Sequence, residues 1–139
     1  MLIDSFVEED RDDVIRLWER CGLLRPWNDP YRDIARKLLV QRELFLVGKI
    51  DERIVATVMA GYEGHRGWVN YLAVDSGFRK QGLGRALMDE AERRLVEIGC
   101  PKVNLQIRTE NEDAVAFYER LGFERSPVVS MGKRLQEGG

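Results

Sequence analysis

Hydrophobic side chains recur at helical spacing before residue 44. In the first stretch they fall three and four positions apart, at Val14, Leu17, Trp18 and Cys21. This spacing predicts an amphipathic helix over residues 8–21, preceded by a strand at Met1–Phe6. Pro30 is well placed as a first helical residue, so a second helix is predicted over residues 30–41.

Between residues 44 and 74 the pattern changes to short apolar runs separated by polar turns. The runs are Leu44–Ile50, Ile54–Tyr62 and Trp68–Val74. Charged or glycine-containing turns lie between them, and each run has the length of a strand. The segment therefore predicts antiparallel strands that follow one another as a meander.

The helical period returns beyond residue 82. Apolar side chains recur near every fourth position, at Leu83, Leu87, Ala91, Leu95 and Ile98. This predicts a long helix that Gly99 ends. The remaining predicted elements are a strand at Val103–Ile107, a helix from Asn111 to Gly122, and one or two strands over Phe123–Leu135.

This order of elements predicts one α/β domain over residues 1–139, with helices flanking a mixed, mostly antiparallel sheet. The sheet is mixed because the strand–helix–strand segments need crossover connections. The 139 residues are 44% hydrophobic and 33% charged, which is an ordinary globular composition. Such a composition excludes disorder as the default state.

Charge and hydropathy narrow the range of partners. The net charge of −2 offers no basic field that would bind nucleic acid or an anionic membrane. No run approaches the roughly 18 apolar residues that a spanning helix needs. The N-terminus shows no signal-peptide pattern. We therefore expect a soluble, cytoplasmic protein.

Histidine and cysteine are too scarce for several familiar kinds of site. Cys21 and Cys100 form no CxxC pair, and His65 is the one histidine of the sequence. A zinc site needs several clustered ligands, so no metal is expected. A Ser-His-Asp triad would have to use His65, and the sequence contains no GxSxG motif.

The most informative chemistry lies in the loop after residue 74. There a glycine-containing turn leads into the long helix, whose first N–H groups and partial positive charge favour an anion. Gly82 and Gly84 allow a ligand to approach the backbone closely. Positive side chains of the same loop are Arg79, Lys80 and Arg85. The loop therefore predicts a phosphate or pyrophosphate cradle.

Two familiar phosphate motifs do not match this loop. A Walker A loop would need Gly-x4-Gly-Lys-Ser/Thr, but Gly82 is followed by Leu83 and Gly84. A dinucleotide-binding fold would need GxGxxG/A, and the segment from Gly82 fails at its last position, Leu87. The segment also follows a meander rather than a first strand.

The pattern Arg79-x-x-Gly82-x-Gly84 resembles the acetyl-CoA signature (Q/R)xxGx(G/A) of the GNAT family of N-acetyltransferases. Residues 111–123 resemble that family's second signature, the helix after its fifth strand. The resemblance covers nearly the whole chain, in the order of elements as well as in these motifs. It implies the family's fold, in which a splayed sheet is flanked by helices.

A narrower resemblance is carried by the first helix, the loop after it and the second polar turn. Residues 17–21, 25–30 and 61–67 are similar to small bacterial acetyltransferases of the YpeA type. Relatives often pair through sheet edges or C-terminal strands, so the resemblance also implies a homodimer.

The family resemblance implies that the chain binds acetyl-CoA and releases CoA. The implied cofactor-binding residues are Leu72, Ala73, Val74, Arg79, Lys80, Gln81, Gly82, Leu83, Gly84, Arg85, Asn111, Phe117 and Tyr118. Backbone N–H groups from about Gln81 to Arg85 would hold the pyrophosphate. Backbone groups of Leu72 and Val74 would meet the pantetheine arm.

The implied reaction is the attack of a primary amine on a thioester. The amine is almost wholly protonated at neutral pH, so a proton acceptor is needed, and the departing thiolate must be protonated. Tyr118 matches the family's usual acid. Trp68 stands where many relatives have a fourth-strand glutamate, which leaves Glu63 and His65 as candidate bases.

The loop after the first helix borders the acceptor site in the family, and here it contains Trp27, Asn28 and Asp29. The sequence leaves the identity of the amine acceptor open. Neither cysteine matches a catalytic position, so direct attack without a covalent acyl-enzyme is expected. The alternative is a non-catalytic acyl-CoA-binding module of the same fold, which the missing fourth-strand acid supports.

Overall fold

The computed structural model describes residues 1–137 as a sheet flanked by helices. The strands are β1 (Leu2–Ser5), β2 (Phe45–Ile50), β3 (Arg53–Tyr62), β4 (Gly67–Val74) and β5 (Val103–Asn104). The α-helices are α1 (Arg11–Arg20), α2 (Pro30–Lys37), α3 (Leu83–Glu97) and α4 (Glu112–Arg120). Short 3₁₀ turns lie at Glu8–Asp10, Arg42–Leu44 and Ser76–Phe78. None of the helices within residues 1–137 combines the length and the hydropathy that a membrane span requires.

The sheet has the order β1-β2-β3-β4-β5. The strands β2, β3 and β4 form the predicted antiparallel meander, and β1 pairs antiparallel with β2. β4 and β5 are parallel because α3 carries the chain back between them. The predicted α/β class with a mixed, mostly antiparallel sheet is confirmed.

β3 lies at the centre of the core and is buried on both faces. Ala56, Val58 and Ala60 belong to the apolar cluster under α3. Thr57 and Met59 face the second cluster, which lies under α1 and α2. Alternate residues of a strand point to opposite faces, so this strand places α3 on one side and α1 and α2 on the other.

β5 is shorter than the predicted strand Val103–Ile107. Only Val103 and Asn104 pair with β4. Beyond this pair β4 and the segment after β5 separate, and residues 105–107 line the space between them. The alternating pattern of the sequence was correct about a half-buried extended segment. The prediction that residues 105–107 pair in the sheet was wrong, because such pairing depends on the position of the neighbouring strand.

α2 ends at Lys37 rather than at residue 41. Gln41 has a φ of 51°, in the left-handed region, so the helix cannot continue through it. Its side-chain amide pairs with the backbone of Tyr62 instead. The Gln41 Nε2 donates to Tyr62 O and the Tyr62 N–H donates to Gln41 Oε1, both at 2.8 Å. Contact with β3 therefore determines where this segment leaves the helix.

No strand forms over Phe123–Leu135 in the part of the chain that the structure describes, so this prediction was wrong. Val129 and Met131 are almost fully exposed, with 86% and 89% of their surface accessible. Two residues of β5 offer little edge on which a further strand could form, and Pro127 has no N–H for a ladder. The apolar residues of this segment indicated strands that have no neighbour to pair with.

Candidate active site

A groove opens where β4 and the chain after β5 separate. Its volume is about 730 Å³, which is within the range of small-ligand sites. Residues 69–72 of β4 face residues 105–108, and side chains of α2 and α4 add to the lining. Polar and aromatic groups of the lining include Asn28, Asp33, Tyr71, Asn111 and Tyr118.

A bulge interrupts β4 where it lines the groove. The pairing of β3 and β4 shifts between Thr57 and Met59, so β4 holds one extra residue there. Tyr71 has a φ of 55°, a conformation that bulky residues rarely adopt. Leu72 lines the groove, whereas Ala73 is buried under α1 and α2. Because an extra residue stays out of the ladder, the bulge frees backbone groups for a ligand.

Three contacts hold Tyr71 in this strained conformation. The Thr57 hydroxyl donates to the Tyr71 carbonyl oxygen and accepts from Trp18 Nε1, both at 2.9 Å. The Tyr71 ring stacks on Trp18, with 3.8 Å between centroids. Its hydroxyl donates to Asp33 Oδ2 at 2.5 Å. Burial and the Asp33 carboxylate raise the pKa of Tyr71 well above its usual range, so it remains a donor.

The loop from Asp75 to Gly82 leads the chain into α3. Asp75 accepts the Gly77 N–H at 3.1 Å and pairs with Arg20 at 3.0 Å. Lys80 and Gly82 have left-handed backbones, with φ of 63° and 77°. No side chain caps α3. The N–H groups of its first turn are therefore open to an anion.

Gly84 lets the first turn of α3 pack closely against α4. A Cβ at this position would lie 3.1 Å from Phe117 Cζ and 3.6 Å from Val74 Cγ2. The guanidinium of Arg85 donates to the Arg120 carbonyl at 3.2 Å and extends the contact. The missing Cβ of Gly84 therefore serves this packing rather than the approach of a ligand that the sequence suggested. The uncapped helix start and the cationic side chains fit a pyrophosphate group.

Tyr118 lies in the groove on α4. Its ring packs edge-on against Phe117 and Phe123, with centroid distances of 5.1 and 5.5 Å. Burial raises the pKa of its phenol to about 12. Asn111 caps the helix by accepting the Ala114 N–H at 3.1 Å, and it also lines the groove. The phenol is protonated at neutral pH and is placed to donate its proton inside the groove.

The structure does not bring the two candidate bases to the groove. Glu63 and His65 lie in the exposed turn between β3 and β4, outside the lining. The Glu63 carboxylate accepts the N–H groups of Arg66 and His65, which lower its pKa. Asp33 is the acidic residue of the lining in the described part of the chain. Its carboxylate already accepts a hydrogen bond from the Tyr71 hydroxyl and pairs with Arg36 at 2.6 Å.

Of the residues predicted for the acceptor site, Asn28 lines the groove. Asp29 caps α2 instead, because its carboxylate accepts the Tyr31 N–H at 2.9 Å. Trp27 is half exposed, and the guanidinium of Arg108 lies 5.5 Å from its ring centroid. The loop after α1 therefore contacts the segment after β5, and both segments contribute to the lining of the groove.

Sequence reasoning missed Thr57 and Tyr71, which shape the bulge. Thr57 carried a usable signal, because a fully buried hydroxyl within an apolar strand needs a hydrogen-bond partner. Tyr71 carried none, because a bulge depends on the register between two strands rather than on one residue. Trp18 was expected only as part of the apolar face of α1.

Comparison with known proteins agrees with this geometry. Residues 6–123 match the model of the acetyltransferase (GNAT) family. The Ard1 protein of Thermoplasma volcanium has a TM-score of 0.74 at 25% identity, covering 90% of this chain and 83% of its own. The ribosomal-protein-S18-alanine N-acetyltransferase of Escherichia coli has a TM-score of 0.75 at 25% identity, covering 90% of this chain and 78% of its own. An aminoglycoside 6′-N-acetyltransferase of Acinetobacter haemolyticus has a TM-score of 0.78 at 18% identity, covering 98% of this chain and 100% of its own.

Proposed function

The chain belongs to the GNAT acetyltransferase family and is an acetyl-CoA-dependent N-acetyltransferase, and we propose that it transfers the acetyl group to a primary amine by direct attack within a ternary complex. The observation that carries this proposal is that Tyr118 and the bulged backbone at Leu72 line one groove. The helix that carries Tyr118 also packs on the first turn of α3. A donor bound at that turn can therefore extend its thioester toward the phenol.

We assign the donor phosphates to the start of α3. Backbone N–H groups from Gln81 to Arg85 hold the pyrophosphate, and Lys80 adds positive charge. The Arg79 Nε–H donates to the Val74 carbonyl at 3.4 Å, which keeps this guanidinium beside the end of β4. The pantetheine arm then follows β4 into the groove, where an extended arm can bond with the freed backbone.

The proposed reaction joins the amine nitrogen to the acetyl carbon and breaks the carbon–sulfur bond. Negative charge develops on the carbonyl oxygen, and an N–H of the bulge at Leu72 stabilises it. The sulfur leaves as a thiolate and takes the proton of Tyr118. The nitrogen loses one proton to a base, which releases it to water, and the Tyr118 phenolate takes one proton back from water, so atoms and charges balance.

The base stays a prediction. Glu63 and His65, the candidates from the sequence, lie outside the groove lining. The pH dependence of kcat/KM in Glu63→Gln and His65→Gln tests each of them. Loss of the acidic limb in one variant identifies that side chain as the base, because protonating a base stops the reaction at low pH.

The relatives act on different acceptors by name, an alanine of a ribosomal protein in one case and an aminoglycoside in another. The shared fold therefore does not select one acceptor, and we propose a primary amine as the common chemistry. The YpeA-type subgroup, a cytoplasmic location, a homodimer and the absence of nucleic-acid and membrane partners stay predictions.

Initial rates measured while acetyl-CoA and an amine are varied together test the reaction path. A ternary complex gives intersecting double-reciprocal lines and no acetylated enzyme by mass spectrometry. Parallel lines with an acetylated enzyme would contradict direct attack. If acetyl-CoA binds and no amine releases CoA, the chain is the non-catalytic acyl-CoA-binding module instead.

Thermal unfolding with and without acetyl-CoA tests the donor site, with NADH and ATP as ligand controls. Gly82 and Gly99 stand at the two ends of α3 with φ of 77° and 91°, and an added Cβ meets nothing within 4 Å at either. Alanine at each should lower the free energy of unfolding by about 1 kcal/mol. Gly99→Ala should keep the increase in Tm of several degrees that saturating acetyl-CoA produces, and Gly82→Ala should lose most of it. Equal increases in both would contradict the assignment.

A further inference from the structure

The charged side chains of the groove are mostly positive, although the chain as a whole has a net charge of −2. The charged residues of the lining are Arg25, Arg36, Lys37, Arg108 and Asp33. Asp33 and Arg36 pair with each other at 2.6 Å. Arg25, Lys37 and Arg108 have no carboxylate within ion-pair distance among residues 1–137.

Neutral groups hold the side chains of Arg25 and Arg108 in place. The Arg25 guanidinium donates to the carbonyl oxygens of Gly22 and Leu24, at 2.7 and 3.1 Å. The Arg108 guanidinium lies over the Trp27 ring. Such contacts fix the position of a guanidinium without cancelling its charge. Both side chains therefore offer a full positive charge to a ligand.

Lys37 is half-buried in the lining of the groove. Its Nζ lies beside Gly61, 3.5 Å from where a Cβ would stand. Burial lowers the pKa of Lys37, and Glu43 opposes this from beyond ion-pair distance. A half-buried ammonium without a close anion is unfavourable. A bound anion would remove that penalty.

Lys37 lies far from the place assigned to the donor phosphates. Gly61 pairs with Trp68, near the start of β4. The cradle at α3 follows Val74, at the other end of the same strand. From Trp68 to Val74 a strand advances about 20 Å at ~3.3 Å per residue. Lys37 therefore belongs to the acceptor end of the groove.

Resting on the proposed function, we propose that the acceptor is a small molecule that carries a carboxylate together with its primary amine, as an amino acid does. The planar guanidinium of Arg108 matches a carboxylate in shape and charge, and Lys37 adds a second positive charge. The groove volume of about 730 Å³ suits a small molecule.

The same charges disfavour a polycationic acceptor and assist the reaction. A polyamine or aminoglycoside would place a further ammonium against like charges. Positive surroundings also lower the pKa of the reacting ammonium. More of the acceptor is then present as the neutral amine that attacks the thioester. This role is independent of Glu63 and His65, which lie outside the groove.

Matched acceptors that differ by one carboxylate test the inference: lysine against cadaverine, and alanine against ethylamine, with spermidine and an acidic peptide alongside. In each pair the carboxylate should raise kcat/KM by about ten-fold. The inference is wrong if the decarboxylated amine or spermidine is the better acceptor, or if the peptide exceeds every amino acid. If no amine at all is acetylated, the proposed function fails instead.

Substitutions in the groove provide the second arm of the test. Lys37→Gln and Arg108→Gln should each raise KM for the preferred amino acid about ten-fold while KM for acetyl-CoA stays the same. Lys102→Gln, exposed and outside the lining, is the matched control. If the two variants raise KM for acetyl-CoA instead, the charges serve the donor and the inference is overturned.

Discussion

Residues 1–100, the core region, and residues 101–137, the outer region, are built differently. Every buried residue of the described chain lies in the core region, and the last of them is Cys100. β5 pairs through two residues, and α4 has no fully buried residue. The core region holds both apolar clusters around β3, while the outer region lies against it as a half-buried layer.

The groove lies at the boundary between the two regions. The strained Tyr71 and the backbone of Leu72 come from the core region, and Asn111 and Tyr118 come from the outer region. A strained backbone persists only where its surroundings determine it, which the core region provides. Ligand-binding segments are commonly drawn from the less stable parts of a structure. The contrast therefore assigns rigid positioning to one region and adjustment to the ligand to the other.

The largest expected difference between the regions is in core packing. Phe45 is fully buried and stacks on Phe6, with 4.5 Å between centroids. Phe45→Ala should lower the free energy of unfolding by about 3–5 kcal/mol, because it leaves a cavity. Val129→Ala, at an exposed site of the outer region, should change it by less than about 0.5 kcal/mol. Urea unfolding measures both, and similar losses would remove the contrast.

The next effect is on chemistry rather than on stability. Tyr118→Phe keeps the ring contacts and removes the proton donor, so kcat should fall by about 10²-fold, or ~2.7 kcal/mol. The Kd of acetyl-CoA and the free energy of unfolding should hardly change. Tyr31→Phe, at an exposed tyrosine outside the groove, is the control. An unchanged kcat across pH 6–9 would show that Tyr118 is not the acid.

Thr57→Val tests whether the core region holds the bulge for function. Valine keeps the shape but removes the acceptor for Trp18 and the donor for the Tyr71 carbonyl. We expect a loss of about 1–3 kcal/mol in the free energy of unfolding, together with a lower kcat. Thr109→Val, at an exposed site of the outer region, should change neither. Lost stability with a full kcat would mean that the bulge takes no part in the reaction.

The smallest expected effect concerns the ion pairs on α3. Hydrogen bonds from Arg93 and Arg94 lower the pKa of Glu90 to about 2. Arg94 also donates to Ser5 Oγ at 2.9 Å and so ties α3 to β1. A carboxylate with a lowered pKa stabilises the fold above its unfolded pKa, and this stability is lost as the pH falls toward 2.

Glu90→Gln should therefore lower the free energy of unfolding by about 1 kcal/mol at pH 7 and by almost nothing near pH 2. Glu97→Gln, which removes a more exposed partner of Arg93, should have less effect. Unfolding measured across pH 2–7 separates the two variants. A deficit of the same size at both ends of this range would show that Glu90 acts through packing rather than charge.

The parts of this structure that could be predicted from the sequence are those that a local pattern determines. The period of α3, from Leu83 to Leu95, follows from one apolar face. The turn into α3 was recognisable from its glycines, because Gly82 has a left-handed backbone, although Gly84 is needed for packing against Phe117 rather than for a ligand. The prediction of Tyr118 depended on a resemblance, because a half-buried tyrosine on a helix has no signal of its own.

The parts that were not predicted depend on contacts between distant segments. The bulge at Tyr71 arises from the register of β3 and β4, and the short β5 from the divergence of two strands. The end of α2 depends on the pairing of Gln41 with Tyr62. The positive charge of the groove is likewise invisible in a chain whose net charge is near zero. Its cationic residues come from separate segments of the chain.

Amide hydrogen exchange with and without saturating acetyl-CoA tests the division between the two regions most directly. We predict that β2, β3 and β4 exchange slowly in both states. Residues 105–120 should exchange fast in the free protein and become protected when acetyl-CoA binds. The account would be contradicted if residues 105–120 were as protected as β3 without ligand, or if acetyl-CoA left their exchange unchanged.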